Sequence, residues 1–286
     1  MAVRILAIGD IVGRPGRQAV HDKLPALVRE HQVDLVIANA ENIAGGSGIT
    51  PNLFHKLRSY GVDVVTLGDH VYKRLDIVPI LQTSERIIRP ANLAASAAGR
   101  TFTVVQTNSG HNIAIFTLLG RIFMNQLPSD DPFATADRLL SQIPQHVRIR
   151  VGEIHAEASS EKIAMGHWLD GRCSFVFGTH THVPTADAKI LPGGSAFISD
   201  LGMTGPYDSV LGRRKERVLK FMTTSMPQAF DVATGDVRLC GALAEIDPDT
   251  GKALSIQRIE VAGDSSGPGF DADDARSNPW SNDRDS

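Results

Sequence analysis

Val3-Arg4-Ile5-Leu6-Ala7-Ile8-Gly9-Asp10 is a short apolar run, crossed by one arginine, that ends on a glycine and a carboxylate. The pattern returns twice. Leu35–Ala38 leads to Glu41-Asn42, and Val62–Leu67 ends in Gly68-Asp69-His70. Helical signals separate these runs. Pro15 opens one helix through about His31, with Val20, Leu24, Leu27 and Val28 at helical spacing, and Thr50-Pro51 caps a second to about Tyr60. Buried strands alternating with helices predict a parallel or mixed sheet with helices packed on it. Such a sheet gathers polar strand ends along one edge.

The second half of the chain changes character. Thr101–Gln106 and Asn112–Leu118 read as a hairpin around Asn108-Ser109-Gly110, followed by a helix from Pro132 to Gln142. Val147–Glu153 is a strand that delivers His155, and Cys173–Phe177 is a strand that delivers Gly178-Thr179-His180-Thr181-His182. Short β-like runs follow at Lys189–Leu191 and Ala196–Ser199, and Gln228–Val232, Asp236–Ile246 and Leu254–Val261 alternate like a β-meander. The mixture predicts an α/β fold in which two sheets pack face to face with helices outside. Residues 1–262 would form one domain, with room for a small cap region around 50–130. Residues 263–286, poor in apolar side chains apart from Phe270 and Trp280, read as a mobile tail.

Composition narrows the function classes. A chain of 286 residues with 42% hydrophobic content can bury a full core. Its formal net charge of -3 argues against a general nucleic-acid-binding surface, but not against a small phosphorylated substrate in a local pocket. No stretch approaches the roughly 18–20 apolar residues of a membrane span. The two cysteines, Cys173 and Cys240, lie in apolar surroundings and read as reduced thiols, which suits the cytoplasm. Exposed meander edges leave room for a homo-oligomer.

Chemistry concentrates at the strand ends: Asp10, Glu41-Asn42, Asp69-His70, His155, and the pair His180 and His182. Singly, each has an ordinary reading as a turn former, a polar loop residue or a surface histidine. Together they are carboxylates, an amide and imidazoles without cysteine, a donor set that favours Mn, Fe or Zn in a working site over structural zinc. They outnumber the needs of one ion. Two ions about 3.5–4 Å apart, sharing a carboxylate and a water, would use them all, lower that water's pKa and clamp a phosphoryl oxygen. A histidine beside the ions could protonate a leaving oxygen. The glycines of Gly45-Gly46-Ser47-Gly48 read as a chain reversal, since no helix-opening Lys-Ser/Thr follows. Arg89 and Asn92 read equally well as phosphate contacts or loop braces, and Ser159-Ser160-Glu161 as a helix start.

The ordered set Gly-Asp, Glu-Asn, Gly-Asp-His, a later His, then Gly-Thr-His-Thr-His resembles the calcineurin-like metallophosphoesterases. Arg89-Pro90-Ala91-Asn92, Asp130-Asp131-Pro132-Phe133 and Asp200-Leu201-Gly202-Met203-Thr204-Gly205-Pro206-Tyr207 extend the resemblance to the bacterial YmdB-like branch, over nearly the whole chain to about residue 262. The resemblance implies a four-layer α/β/β/α sandwich with two mixed sheets. It implies phosphodiester hydrolysis of small 2′,3′- or 3′,5′-cyclic nucleotides by a metal-bridged hydroxide. A phosphomonoesterase or nucleotidase, or a non-catalytic metal-dependent nucleotide sensor, are the rival readings. It further implies that Asp10, Glu41, Asn42 and His182 bind one ion and Glu41, Asp69, His155 and His180 the other, with His70 as general acid. Fe or Mn is the expected metal, with Zn an alternative.

Two positions depart from the pattern. The wider superfamily has a histidine two residues after the first aspartate, where this chain has Val12, and Asn42 would fill that place. The usual Gly-Asn-His is here Gly68-Asp69-His70. A carboxylate in place of a neutral amide oxygen adds negative charge beside the ions. It should bind metal more tightly and leave the shared water less acidic. Asp69→Asn is therefore expected to weaken metal retention and move the basic group of the pH–rate profile to lower pH. An unchanged profile with unchanged metal content would refute this assignment of Asp69.

Overall fold

The computed structural model describes residues 2–263. Its strands are β1 (Val3–Ile8), β2 (Asp10–Ile11), β3 (Leu35–Asn39), β4 (Val64–Thr66), β5 (Ile87–Ile88), β6 (Phe102–Gln106), β7 (Asn112–Leu119), β8 (Ile149–His155), β9 (Phe175–Thr179), β10 (Lys189–Ile190), β11 (Ala196–Ile198), β12 (Met203–Pro206), β13 (Val237–Ile246) and β14 (Ala253–Ala262). The helices are α1 (Gly13–Glu30), α2 (Pro51–Tyr60), α3 (Val78–Thr83), α4 (Pro132–Gln142), α5 (Ser159–Leu169) and α6 (Lys215–Thr224).

Two mixed sheets form. The first runs β2-β12-β13-β1-β3-β4-β5, with β14 also paired to β13, and the second runs β10-β11-β9-β8-β7-β6. In the first, β1, β3, β4 and β5 are mutually parallel while β13 lies antiparallel to β1. In the second, β7, β8, β9 and β11 are parallel, and β6 and β10 close the two edges antiparallel. Parallel strands put all their carboxyl ends on one edge, which is why the sequence can place acids and histidines together from distant segments.

Three buried clusters define the layers. Ile5, Ala7, Ile37 and Val64 of the first sheet meet Ile115, Val151, Phe175 and Phe177 of the second. Outside the first sheet, Leu6, Ile8 and Val36 pack against Val20, Leu24 and Leu57 of α1 and α2. Outside the second, Ala114, Phe116 and Val176 pack against Ala136, Leu139 and Met165 of α4 and α5. The order helix, sheet, sheet, helix is the sandwich expected from the sequence. The period of two along β1 explains it, with Ile5 and Ala7 facing one side and Leu6 and Ile8 the other.

Most elements fall where the sequence puts them. The Thr50 side chain accepts from the Leu53 N–H and Pro51 opens α2, while Asp131 caps α4. The hairpin β6–β7 pairs Gln106 with Asn112, as expected. One expectation fails. Gln228–Val232 is not a meander strand; it follows Pro227 as irregular chain, and only Val232 bridges, to Arg213. A proline at the start supplies no ladder donor, and the antiparallel pair β13–β14 completes the sheet without it. Between residues 50 and 130 the strands β4 to β7 alternate with irregular stretches at 67–74 and 89–101. The expected tail lies outside the described residues, apart from Gly263, whose N–H donates to the Val237 carbonyl. Among the described residues no helix is long and apolar enough to cross a membrane.

Close packing at the end of β9 requires a glycine. A Cβ on Gly178 would lie 1.8 Å from the Ser199 carbonyl oxygen and 2.6 Å from the Lys162 chain. Gly178→Ala is expected to destabilise the protein by about 1–3 kcal/mol through forced backbone displacement. Urea unfolding reads this, and an unaltered midpoint would contradict it.

Candidate metal centre

The polar residues of the first sheet stand immediately beyond its parallel strands: Asp10 after β1, Glu41 and Asn42 after β3, Asp69 and His70 after β4. From the second sheet come His155, the last residue of β8, and His180 and His182, just past β9. Glycines let these segments close up. The missing Cβ of Gly9 leaves room for the Gly202 carbonyl, and that of Gly68 leaves room for His155 Nε2 and Glu41 Oε2.

The eight residues picked out from the sequence converge. Glu41, Asp69, His155 and His180 each offer a donor atom within 4.8 Å of the others and could hold an ion. His155 Nε2 lies 3.0 Å from Asp69 Oδ1 and 3.2 Å from Glu41 Oε1. His180 Nδ1 is 3.1 Å from His155 Nε2 and 3.4 Å from Asp69 Oδ1. On the other side of Glu41, Asn42 Nδ2 is 3.3 Å from Glu41 Oε1 and 3.2 Å from His182 Nε2, and His182 Nε2 is 3.8 Å from Asp10 Oδ1. The His180 N–H donates to Asp10 Oδ2 at 3.1 Å, tying the two groups together. His70 lies at the rim, about one-fifth exposed. Its N–H donates to Glu41 Oε2, and its Nδ1 is 2.7 Å from Asn42 Oδ1.

Val12 fills the place where the superfamily has a histidine. It is buried at the start of α1, against Gly205 and Gly212.

Charge explains what this arrangement lacks as protein alone. Three carboxylates are buried at one spot, and Asp10 Oδ1 and Asp69 Oδ2 have no hydrogen-bond partner among the described residues. Burial opposes ionisation of Glu41 and Asp69. The facing His155, with His70, nevertheless holds both carboxyls below the usual carboxylate range, and His180 acts with them on Asp69. Burial likewise disfavours a charged His155, but Glu41 and Asp69 raise it well above an ordinary histidine. A metal cation would meet the orphaned oxygens and the facing imidazoles, so the residues fit a metal centre.

Each histidine nitrogen turned away from the cluster has a partner. Glu153 Oε1 accepts from Thr179 Oγ1 at 2.6 Å and from Asn39 Nδ2 at 2.7 Å, and Thr179 Oγ1 in turn is 2.9 Å from His155 Nδ1. His180 Nε2 faces Glu157 Oε2 at 3.2 Å, and His182 Nδ1 lies 3.1 Å from the Leu211 carbonyl. Such contacts fix tautomer and ring orientation. Burial pushes the Glu153 carboxyl above its ordinary value. Beneath the turn, Lys162 Nζ donates to the Thr179 carbonyl at 3.1 Å and to Asp200 Oδ2 at 2.6 Å, and Thr181 Oγ1 donates to the same oxygen at 2.7 Å. His180 and His182 have φ of 96° and 65°, left-handed values that cost non-glycine residues energy and persist only where neighbours hold them.

Sequence reading did not assign roles to Asn39, Glu153, Thr179, Lys162 or Glu157. One signal was present: period two along β8 puts Glu153 on the same face as Val151 and His155, inside the sandwich. Other candidates resolve as structural. Arg213 fills the Gly45–Gly46 turn, donating to both carbonyls. Asn92 spends its amide on the Leu119 N–H and on the Leu119 and Asp130 carbonyls, and Arg89 donates to Pro90 and Ala94. Both brace the loop.

Two mixed sheets between helices, with a carboxylate–imidazole cluster on their shared carboxyl edge, define an enzyme of the metallophosphoesterase class. The YmdB-like protein family model matches residues 6–259, so the chain belongs to that family. It is 42% identical over 262 residues to the 2′,3′-cyclic-nucleotide 2′-phosphodiesterase of Bacillus subtilis strain 168, covering 92% of this chain and 98% of that one. A hypothetical protein from Thermus thermophilus superposes with a TM-score of 0.84 at 40% identity, covering 91% and 99% of the two chains. A phosphatase from Mycoplasma pneumoniae superposes with a TM-score of 0.87 at 32% identity, covering 93% and 95%.

Lys162 and Asp200 are 2% and 1% exposed at their side chains. Lys162→Met leaves a buried carboxylate unpaired and is expected to cost about 3–5 kcal/mol. Replacing both, as Lys162→Met with Asp200→Asn, should restore part of that loss. Urea unfolding of the two variants checks the order, and equal stability of Lys162→Met and wild type would refute the role of the pair.

Proposed function

We propose that this chain is a dinuclear metal-dependent phosphodiesterase acting on small cyclic nucleotides, the 2′,3′ form foremost and the 3′,5′ form as a second substrate. The observation that carries the reading is the buried set Asp10, Glu41, Asp69 and His155, with two orphaned carboxylate oxygens, next to a rim histidine. Its relative in B. subtilis, of nearly the same length, supports the substrate class. Glu41, Asp69, His155 and His180 would hold one ion and Asp10, Asn42 and His182 the other, with Glu41 shared. Fe or Mn suits this mixture of hard oxygens and imidazoles, and Zn is the alternative. Ions held there would supply Lewis acidity toward the phosphoryl oxygens and lower the pKa of water.

The chain's own residues do the rest. Asn42 Oδ1 accepts from His70 Nδ1–H, which leaves His70 Nε2 to carry the proton for the leaving sugar oxygen. The bond from the His70 N–H to Glu41 Oε2 fixes that imidazole relative to the metal-holding carboxylate. Glu153, through Thr179, keeps His155 turned so that Nε2 faces the cluster. Both cysteines are buried free thiols, which accords with a reducing cytoplasm.

The intact His70 favours a hydrolase over a sensor, which needs no general acid. His70→Ala is expected to lose roughly 10²–10⁴-fold in turnover of 2′,3′-cyclic AMP. It should stay near wild type on bis(p-nitrophenyl) phosphate, whose leaving group needs no proton. Equal losses on both substrates would refute the acid role. Faster wild-type turnover of 3′-AMP than of its cyclic precursor would establish the phosphomonoesterase reading, and absence of metal-dependent turnover the sensor.

A further inference from the structure

The opposite edge of the second sheet carries a second concentration of charge, of the other sign. A cleft of about 210 Å³ opens where β8 and β9 begin, and Arg148, Arg150, Arg172 and Lys252 converge on it. The turn Gly193-Gly194 forms part of its wall. From Arg148 to His155 the strand runs seven residues, so the cleft lies about 20 Å from the metal centre at the usual rise per residue. A neighbouring cleft of about 330 Å³ shares Arg148 and is also lined by His111 and His146.

These cations are held together without matching acids. Among the described residues only Arg172 has a carboxylate at ion-pair distance, Asp137 Oδ1 at 2.6 Å. Arg150 donates from Nε to the Val147 carbonyl and Arg148 to the Asp249 carbonyl, which orients both side chains and neutralises neither. The nearby Asp170 carboxylate is occupied by the N–H groups of Gly193 and Ser195 and so holds the turn. The floor is the buried Cys173, whose thiol burial pushes up to about 12, with Arg150 and Arg172 both acting the other way. Two guanidinium groups therefore bear on one point.

In a chain of net charge -3, four cations gathered around one cavity need a reason. We propose that this cleft is a binding site for a small phosphate-bearing ligand, its phosphoryl oxygens received by Arg148, Arg150, Arg172 and Lys252. Guanidinium forks match phosphate oxygens in pairs, and lysine adds a mobile point charge. The dimensions fit a phosphate group with little more than its immediate substituents. An extended polymer would need a stripe of cations, and here Asp137 and the acidic β13–β14 turn (Asp247, Asp249) flank the basic residues.

Equilibrium dialysis of the metal-loaded full chain against labelled inorganic phosphate tests this directly. Wild type is expected to take up one more phosphate per chain than Arg150→Gln/Lys252→Gln, whatever uptake the metal centre adds to both. Both side chains are at least partly exposed, and a thermal melt confirms that the double variant is folded. Equal uptake by the two proteins overturns the proposal. So does retention of an RNA oligonucleotide that is lost in the variant while phosphate uptake stays the same. Because the readout is the difference between two proteins with intact metal centres, it stands apart from whether cyclic nucleotides are hydrolysed.

Discussion

Three buried carboxylates, the buried His155 and the half-buried His180 and His182 are forced together because two sheets present the carboxyl ends of their parallel strands to each other. Every other feature of the site answers to that crowding. Like charges a few ångströms apart repel by several kcal/mol even at the effective dielectric of a protein surface, and burial raises the cost. Protein alone offers partial relief, in that His155 Nε2 faces both Glu41 and Asp69, which raise its pKa above that of an ordinary histidine. Asp10 Oδ1 and Asp69 Oδ2 remain without hydrogen-bond partners. The fold therefore stores a demand for cations at one place.

That demand has to be met without letting the ligands swing, and the supporting layer is built for this. Glu153 receives Asn39 from the first sheet and Thr179 from the second, so one carboxylate fastens both sheets and aims His155. On the far side, Asp200 accepts from Lys162, Thr181 and Gly202, pinning a turn whose histidines have left-handed backbone angles. The buried ion pair is thus better understood as a device for placing His180 and His182 than as a source of stability, in keeping with the small net worth of such pairs.

Much of this was legible in the sequence, for an identifiable reason. Asp10, Glu41, Asp69, His155 and His180 follow apolar runs directly, so their placement needs only local pattern and the rule that parallel strands share an edge. The supporting contacts were not legible because they join residues far apart in the chain. Asn39 and Glu153 are separated by 114 positions, and nothing in either neighbourhood names the other. Helix α6 went unread although Val218, Leu219, Phe221 and Met222 fall at helical spacing, and of these only Val218 is buried. Gln228–Val232 misled through its alternation, which resembled a strand, whereas β13 and β14 pair with each other without it. Gly45-Gly46 shows a third case, where the explanatory partner, Arg213, lies beyond the reach of any local motif.

Charge also accounts for how an acidic pocket could receive an anion. Without cations, three carboxylates would repel a phosphodiester from the groups meant to act on it. Bound cations would offset those carboxylates, so loading would remove the repulsion as well as supply Lewis acidity. A substrate would then approach freely only in the loaded protein, and His70, about one-fifth exposed, stands at the rim it would cross. Val12 fits the same logic. With an apolar residue packed under α1 in place of one imidazole, the donor groups gathered on that side of Glu41 are Asp10, Asn42 and His182.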